Sequence, residues 1–191
     1  TALEGIRSAV KGQRSTSDIP YIPACGLTRN EVFESRFDCL TAPVGSPGMQ
    51  CVYWNNTEME GTPANTVFTT SPLNLSNGGN TVFAPGVNLE NFSARYDATF
   101  IPTRDETVTL AVDADDRVRL IVNGDTIETA QGGGNRRGGF GFGRRGADYK
   151  SFPVEQGKDY DVVIEYSRGN GNFAMLRGDI CERKQVDYTP L

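Results

Sequence analysis

Three aspartates within four positions, Asp113, Asp115 and Asp116, are the first candidates for chemistry in this chain. They stand between two segments, 108–112 and 118–122, in which apolar and polar residues alternate. A period of two predicts strands with one buried face, so we expect a strand pair with three carboxylates at its tip. Carboxylates are ligands of Ca²⁺. The alternative is that Asp115 caps the loop by accepting backbone N–H bonds.

Residues 131–146 form a second candidate site, because half of them are glycine and the others include four arginines and two phenylalanines. Such stretches can bind single-stranded nucleic acid through charge and ring stacking, but the net charge of −5 argues against that partner. The plainer alternative is a solvated extension of a hairpin. The residues concerned are Arg136, Arg137, Phe140, Phe142, Arg144 and Arg145.

Histidine is absent from the 191 residues, and this excludes several kinds of site. Ser-His-Asp and Cys-His nucleophile systems need an imidazole base. A thiolate–imidazole zinc site lacks both its nitrogen ligand and the usual cysteine spacing. Two disulfides or four free thiols are both compatible with the widely spaced cysteines, which are Cys25, Cys39, Cys51 and Cys181.

The composition, with 37% hydrophobic and 23% charged residues, is that of an ordinary globular domain. No apolar run reaches the roughly 18 residues that a membrane-spanning helix needs. The chain begins Thr-Ala-Leu-Glu without an initiator methionine or a signal peptide, so we expect a mature product or an excised piece.

The elements that must position these residues are mostly short strands. An apolar stripe in residues 1–12 predicts a helix, and residues 19–22 predict a short strand after it. Alternation and turn signals then predict further strands, and Asn123-Gly124 predicts a tight hairpin turn. We expect an all-β, jelly-roll-like antiparallel β-sandwich. The predicted strands are 49–54, 66–69, 92–100, 150–154, 160–166 and 172–180.

One series of motifs resembles the protective-antigen-type ("PA-fourteen") domain, a β-sandwich of glycosidases, adhesins and toxins. The series begins with Gly-Met-Gln-Cys-Val-Tyr-Trp at 48–54 and Phe-Ser-Ala-Arg-Tyr at 92–96. It continues with Asp-Asp-Arg-Val-Arg-Leu at 115–120 and ends with Ile-Glu-Tyr at 164–166. The match covers residues 46–182. It implies a jelly-roll-like sandwich and, commonly, carbohydrate binding.

The N-terminal flank resembles a different unit. Ala-Leu-Glu-Gly-Ile-Arg at 2–7 and Tyr-Ile-Pro-Ala-Cys-Gly at 21–26 look like the α/β domain of glycoside hydrolase family 3 β-glucosidases, some of which carry this sandwich as an insertion. We therefore expect an α/β fragment at 1–29, a connector at 30–45, the sandwich at 46–182 and a second connector at 183–191.

The resemblance suggests roles for the candidate residues. In the adhesin branch of the family an Asp-Asp pair, matched here by Asp115 and Asp116, ligates calcium with an Asn of a neighbouring loop. This chain departs from that pattern in its arginine-rich 131–146 segment, whose cations would oppose a second positive centre. In a glycosidase that segment could instead reach the catalytic pocket, with arginines donating to sugar hydroxyls. Trp54 and Tyr149 are further candidates for exposed aromatic contacts with sugar.

Catalysis within the chain is not expected. Glycoside hydrolysis needs two carboxyls on either side of the scissile bond, and the family 3 nucleophile belongs to a separate barrel domain. The leading hypothesis is a non-catalytic domain of a secreted or periplasmic β-glycosidase that binds glycan or shapes substrate access beside the catalytic domains of its parent chain. A stand-alone, calcium-assisted lectin and a spacer or oligomer-contact domain are the alternatives.

Overall fold

The computed structural model describes residues 31–130, 148–171 and 173–185. Their twelve strands form two antiparallel sheets packed as a sandwich. Two short 3₁₀ turns cover Phe37–Cys39 and Gly78–Asn80. The strands are β1 (Glu31–Ser35), β2 (Leu40–Thr41), β3 (Met49–Trp54), β4 (Asn65–Thr69), β5 (Leu73–Ser76), β6 (Phe92–Phe100), β7 (Glu106–Ala114), β8 (Arg117–Val122), β9 (Asp125–Ala130), β10 (Asp148–Val154), β11 (Tyr160–Arg168) and β12 (Met175–Gln185).

The two sheets differ in size. The five-stranded sheet has the order β1-β12-β7-β10, and β5 also pairs with β12. The seven-stranded sheet has the order β4-β3-β6-β11-β8-β9, and β2 also pairs with β6. The expected all-β antiparallel sandwich is confirmed. The N-terminal helix-strand flank lies outside the described residues.

The expected pairing of the segments around the aspartates is wrong. β7 belongs to the five-stranded sheet and β8 to the seven-stranded sheet, so Asp115 and Asp116 lie in a crossover between the sheets. The alternation nevertheless identified the buried faces, since Leu110 and Leu120 are each at most 1% exposed. Alternation determines which side chains face the core but not which strand lies alongside. The two residues between β7 and β8 are compatible with either a hairpin or a crossover between sheets, so the sequence pattern did not distinguish the two.

The core lies between the sheets and is rich in aromatic rings. β6 has the bounds expected from its alternation, and its inward residues, such as Tyr96, are fully buried. Tyr53 meets Tyr96 edge-on with ring centroids 5.9 Å apart. Phe92 and Tyr166 pack at 5.8 Å. Such pairs add stabilisation beyond the area they bury.

Segments without a strong pattern complete the sheets. Residues 30–45, expected as a connector, contribute β1 and β2, and β1 pairs with the last part of β12. β5 lies between the expected strands 66–69 and 92–100, where no strand was predicted. These strands have five residues or fewer, which is too few for periodicity to distinguish them from loop.

The Asn123-Gly124 turn is confirmed between β8 and β9. Both residues have positive φ, 51° and 83°, as a two-residue hairpin turn requires. The Asn123 side chain also accepts a hydrogen bond of 2.8 Å from the Asp161 backbone N–H. This contact ties the turn to β11.

Cys39, Cys51 and Cys181 are free thiols, while Cys25 lies outside the described residues. Burial raises the pKa of the Cys51 thiol to about 12, so this cysteine is unreactive at neutral pH. Within the described ranges, no helix is long and apolar enough to cross a membrane.

Candidate functional site

One end of the sandwich gathers the loops that carry the candidate residues. The connections β3–β4, β5–β6, β7–β8 and β11–β12 all leave the sheets there, as the strand registers require. Ala130 and Asp148, which bound the 131–147 segment, pair with Val118 and Val112 next to the same crossover. Asn77 ties two of these loops together, because its amide donates to Leu89 O at 3.0 Å and accepts from the Ala174 N–H at 2.6 Å.

Arg168, at the end of β11, lies between the two crossover aspartates. Its Nη1 is 3.2 Å from Asp115 Oδ2 and 3.1 Å from Asp116 Oδ2. Only 10% of the Arg168 side chain is exposed. A guanidinium shared by two carboxylates in a largely buried position is a strong ion-pair arrangement.

The aspartates accept further hydrogen bonds. Asp115 Oδ1 accepts from the Tyr166 hydroxyl and from the Met175 N–H, each at 2.7 Å. Asp116 Oδ2 accepts from the Gly169 N–H at 3.1 Å, and its Oδ1 accepts from the Arg117 N–H at 2.8 Å. Backbone N–H groups of three elements are thus bonded to this pair.

These contacts do not fit a calcium ion. Ca²⁺ needs oxygen ligands and repels donors and cations, whereas this pair is surrounded by N–H groups and a guanidinium. Asp113 is directed to another partner, with Arg177 Nη1 4.0 Å from its Oδ2. Among the described residues, no group of three or more acidic, cysteine or histidine side chains is arranged to hold a metal. The contacts favour the alternative in which Asp115 caps the loop.

A polar cleft of about 530 Å³ lies beside this end, on the outer face of the seven-stranded sheet. One wall is the beginning of the β3–β4 loop, and the floor consists of outward residues of β8 and β11. Its lining residues are Thr57, Glu58, Met59, Arg117, Arg119, Glu165 and Ser167.

The floor is built around Glu165, a carboxylate only 8% exposed. Strand register places it between Arg95 of β6 and Arg119 of β8. Arg95 Nη1 donates to Oε1 at 2.9 Å, and Arg119 Nε donates to Oε2 at 2.7 Å. Arg95 Nε also bonds Asp97 at 2.9 Å. The network holds both guanidinium planes against the sheet.

The wall is a loop held by side-chain amides. Asn56 Oδ1 accepts from the Glu58 and Glu60 N–H groups at 3.1 and 3.2 Å, and its Nδ2 donates to Glu60 O. Asn55 bonds the backbone of the 77–91 connection on both its amide atoms. Ser167 Oγ donates to Thr57 O at 2.9 Å, which fixes the wall to the floor. These bonds hold Met59 at a φ of 61°, a conformation that is costly for a non-glycine residue.

Of the aromatic and Gly/Arg candidates, the structure describes the side chain of Trp54 alone. Trp54 is partly exposed at the end of β3, and its indole N–H donates to Gly61 O at 3.2 Å, so it also supports the wall. Tyr149 lies in β10, where its backbone pairs with Ala111. Its side chain is outside the described part of the chain. So are the arginines and phenylalanines of the 131–147 segment, namely Arg136, Arg137, Phe140, Phe142, Arg144 and Arg145.

The residues that organise the crossover and the cleft are not among those predicted from the sequence. Arg117 and Arg119 carry a signal, since they are two apart on a strand and must share its outer face. Glu165 likewise lies out of phase with the inward residues of β11. Arg168 carries no comparable signal, because its partners lie 52 and 53 positions away.

Comparisons with known proteins identify the family of this chain. The PA14 domain family matches residues 45–181. A xylan 1,4-beta-xylosidase of Xylanibacter ruminicola is 30% identical over 98% of this chain, and the chain spans only 20% of that protein.

Solved structures agree on the fold. A β-glucosidase of Kluyveromyces marxianus in complex with glucose has a TM-score of 0.56 and 14% identity, with 79% of this chain and 18% of that one covered. An anti-sigma factor domain-containing protein of Clostridium clariflavum has a TM-score of 0.55 and 19% identity, with 73% and 44% covered. Shared fold alone does not assign function. The chain belongs to the PA14 domain family.

Proposed function

We propose that this chain is a non-catalytic, carbohydrate-binding accessory domain of a glycoside hydrolase. The observation that carries the proposal is the preformed cleft, in which the guanidinium group of Arg119, held by Glu165, and a hydrogen-bonded loop form a concave polar surface. Sugars present many hydroxyls, and a rigid array of donors binds them with less loss of conformational entropy than mobile side chains do. The xylosidase and β-glucosidase resemblances support a glycan as the ligand.

The carboxylates of the cleft support a binding role over a catalytic one. A glycosidase needs one carboxyl as a proton donor and a second as nucleophile or base. Glu165 is ion-paired with two arginines. Glu58 bonds its own neighbour, since its Oε2 accepts from the Thr57 N–H at 3.1 Å. Neither is arranged to give a proton to a leaving group.

The parent protein in this proposal is a β-glycosidase of the family 3 type, periplasmic or secreted, whose catalytic domains contact this one. The relative of which the chain spans a fifth is a hydrolase by name, which supports that context. Residues 132–145 would then extend toward the catalytic pocket. Deleting them from the full-length enzyme should change its preference for chain length. Unchanged kinetics on short and long glycosides would remove this part of the proposal.

The binding function is tested by calorimetric titration of the purified chain with neutral β-linked oligosaccharides, in calcium and in chelator. We expect saturable binding that does not depend on calcium. Arg119→Ala should weaken it roughly tenfold, equivalent to about 1.4 kcal/mol, because it removes donors from the floor. Lys150→Ala is the control, since Lys150 is exposed on the other sheet. If no oligosaccharide binds, the domain is a spacer or an oligomer contact instead.

A further inference from the structure

We propose that the cleft selects a sugar residue that carries a carboxylate, such as a uronic acid, and that Arg117 binds this group. The inference rests on the proposed glycan-binding function and deepens it. It follows from a count of the hydrogen-bond donors and acceptors that the cleft offers to a ligand.

Each carboxylate oxygen of the cleft already accepts a hydrogen bond from the protein. Glu165 Oε1 accepts from Arg95 and its Oε2 from Arg119. Glu58 Oε1 accepts from the Thr57 hydroxyl and its Oε2 from the Thr57 N–H. A sugar hydroxyl that donates to these oxygens must therefore share them with a protein donor, and Glu165 Oε2 already accepts from two nitrogens of Arg119.

The donors are in excess. Arg117 is exposed, and within the described residues its guanidinium forms no hydrogen bond or ion pair, so all its N–H groups are available. Arg119 uses Nε and Nη2 on Glu165, which leaves Nη1, and its side chain is 50% exposed. The two arginines follow each other on the outer face of β8, with Cα atoms about 7 Å apart. A planar, acceptor-only group is the natural complement of such a pair, because guanidinium binds carboxylate in bidentate fashion.

The cleft lining carries two positive and two negative side chains, Arg117 and Arg119 against Glu58 and Glu165. Glu165 is ion-paired with Arg119 and with Arg95 of β6, so Arg117 is the cation of the lining that has no ion pair among the described residues. Glu58 opposes Arg117 from the wall; both side chains are exposed to solvent, so salt screens the charge of each. Removing the Glu58 charge should therefore strengthen the binding of an acidic sugar.

The test compares two ligands that differ at one group: a xylo-oligosaccharide bearing one glucuronic acid branch, and the same compound with its carboxyl reduced to the alcohol. Titration calorimetry should give the acidic form about tenfold tighter binding at low salt, with a difference that shrinks as salt rises. Arg117→Gln should equalise the two ligands. Glu58→Gln should widen the gap, and Lys150→Gln, a charge-matched control on the other sheet, should leave it unchanged. Unchanged thermal unfolding of Arg117→Gln verifies that the variant is folded.

Equal affinities for the two ligands would overturn this inference and leave the proposed function standing. If neither of the two ligands binds, and the neutral oligosaccharides do not bind either, this inference and the proposed function are both overturned. A sulfated oligosaccharide of the same length that binds more tightly than the uronic acid form would also contradict the assignment, because the cleft would then favour a tetrahedral anion over a carboxylate.

Discussion

Arg168 Nη1 lies 3.2 Å from Asp115 Oδ2, at the crossover that joins the two sheets. The same guanidinium reaches Asp116, and the loop after β11 closes over it: a Cβ added at Gly171 would lie 2.1 Å from Arg168 Nη2. Arg168 thus acts as an internal counter-ion for the acidic pair. It joins the β7–β8 crossover to the β11–β12 connection, at the end of the sandwich where the cleft lies.

Arg168→Gln should therefore destabilise the domain by about 3 kcal/mol, because it leaves two partly buried carboxylates without their counter-ion. Arg177→Gln is the matched control. Its Nη1 lies 4.0 Å from Asp113 Oδ2, its Nε donates to Asn74 Oδ1 at 3.4 Å, and its side chain is 36% exposed, so we expect a loss below about 1 kcal/mol, as for other exposed pairs. Urea unfolding measures both. Equal, small losses would contradict the central position given to Arg168.

The calcium hypothesis leads to a separate prediction. Because Arg168 already neutralises Asp115 and Asp116, excess calcium should shift the Tm of the domain by less than about 1 °C relative to chelator. A ligand that binds only the folded state raises the free energy of unfolding by RT ln(1 + L/Kd), where L is the free ligand concentration. A clear, saturable rise of Tm with calcium would show that the ion displaces the guanidinium.

We expect the stability of the domain to depend on pH through Asp179 of β12. Its Oδ1 accepts a bond of 2.9 Å from Ser35 Oγ, while its Oδ2 is buried without a hydrogen-bond partner among the described residues. Burial raises its pKa from the ordinary value of 3.8 to about 6. The folded state therefore holds this proton more tightly than the unfolded state does. The resulting stabilisation is complete below pH 3.8 and is lost as the pH rises through about 6.

Asp179→Asn should remove this loss, since an amide does not ionise. The free energy of unfolding of the variant should exceed that of the wild type by about 2–3 kcal/mol at pH 7.5, and the two should be similar near pH 4. Urea unfolding across this range measures the difference, in which the contributions of other carboxyls cancel. A difference that does not change with pH would refute the assignment to Asp179.

Two glycines near the start of β3 provide a matched pair. Gly48 has a φ of 99°, and a Cβ there would lie 2.0 Å from the carbonyl oxygen of Thr69. Gly45 has a φ of 83° with no heavy atom within 4 Å of its Cβ position. Gly45→Ala should cost about 1–2 kcal/mol from the left-handed conformation alone. Gly48→Ala should cost at least about 3 kcal/mol, because backbone must also move. Similar unfolding midpoints for the two variants would argue against the close approach of β3 and β4.

The sequence predicted best those features that depend on one strand or one turn alone. Alternation predicted β6 with its bounds, and Asn123-Gly124 predicted its turn, because these signals are local. Pairing of β7 with β8 was expected and is wrong, since the choice between hairpin and crossover depends on the packing of the sheets. Arg168 and Glu165 went unnoticed for the same reason: their partners are set by strand register over long sequence separations. The expected resemblance to the PA14 family is confirmed by the match to residues 45–181.

The central claim is that the cleft between the 57–59 wall and the β8–β11 floor is where glycan binds. Backbone amide chemical shifts, followed during titration with a xylo-oligosaccharide carrying a glucuronic acid branch, test it most directly. We predict that the largest changes fall on residues 57–59, 117–119 and 165–167 and saturate together with one Kd. Changes confined to residues outside these three stretches, or no changes at all, would contradict the account.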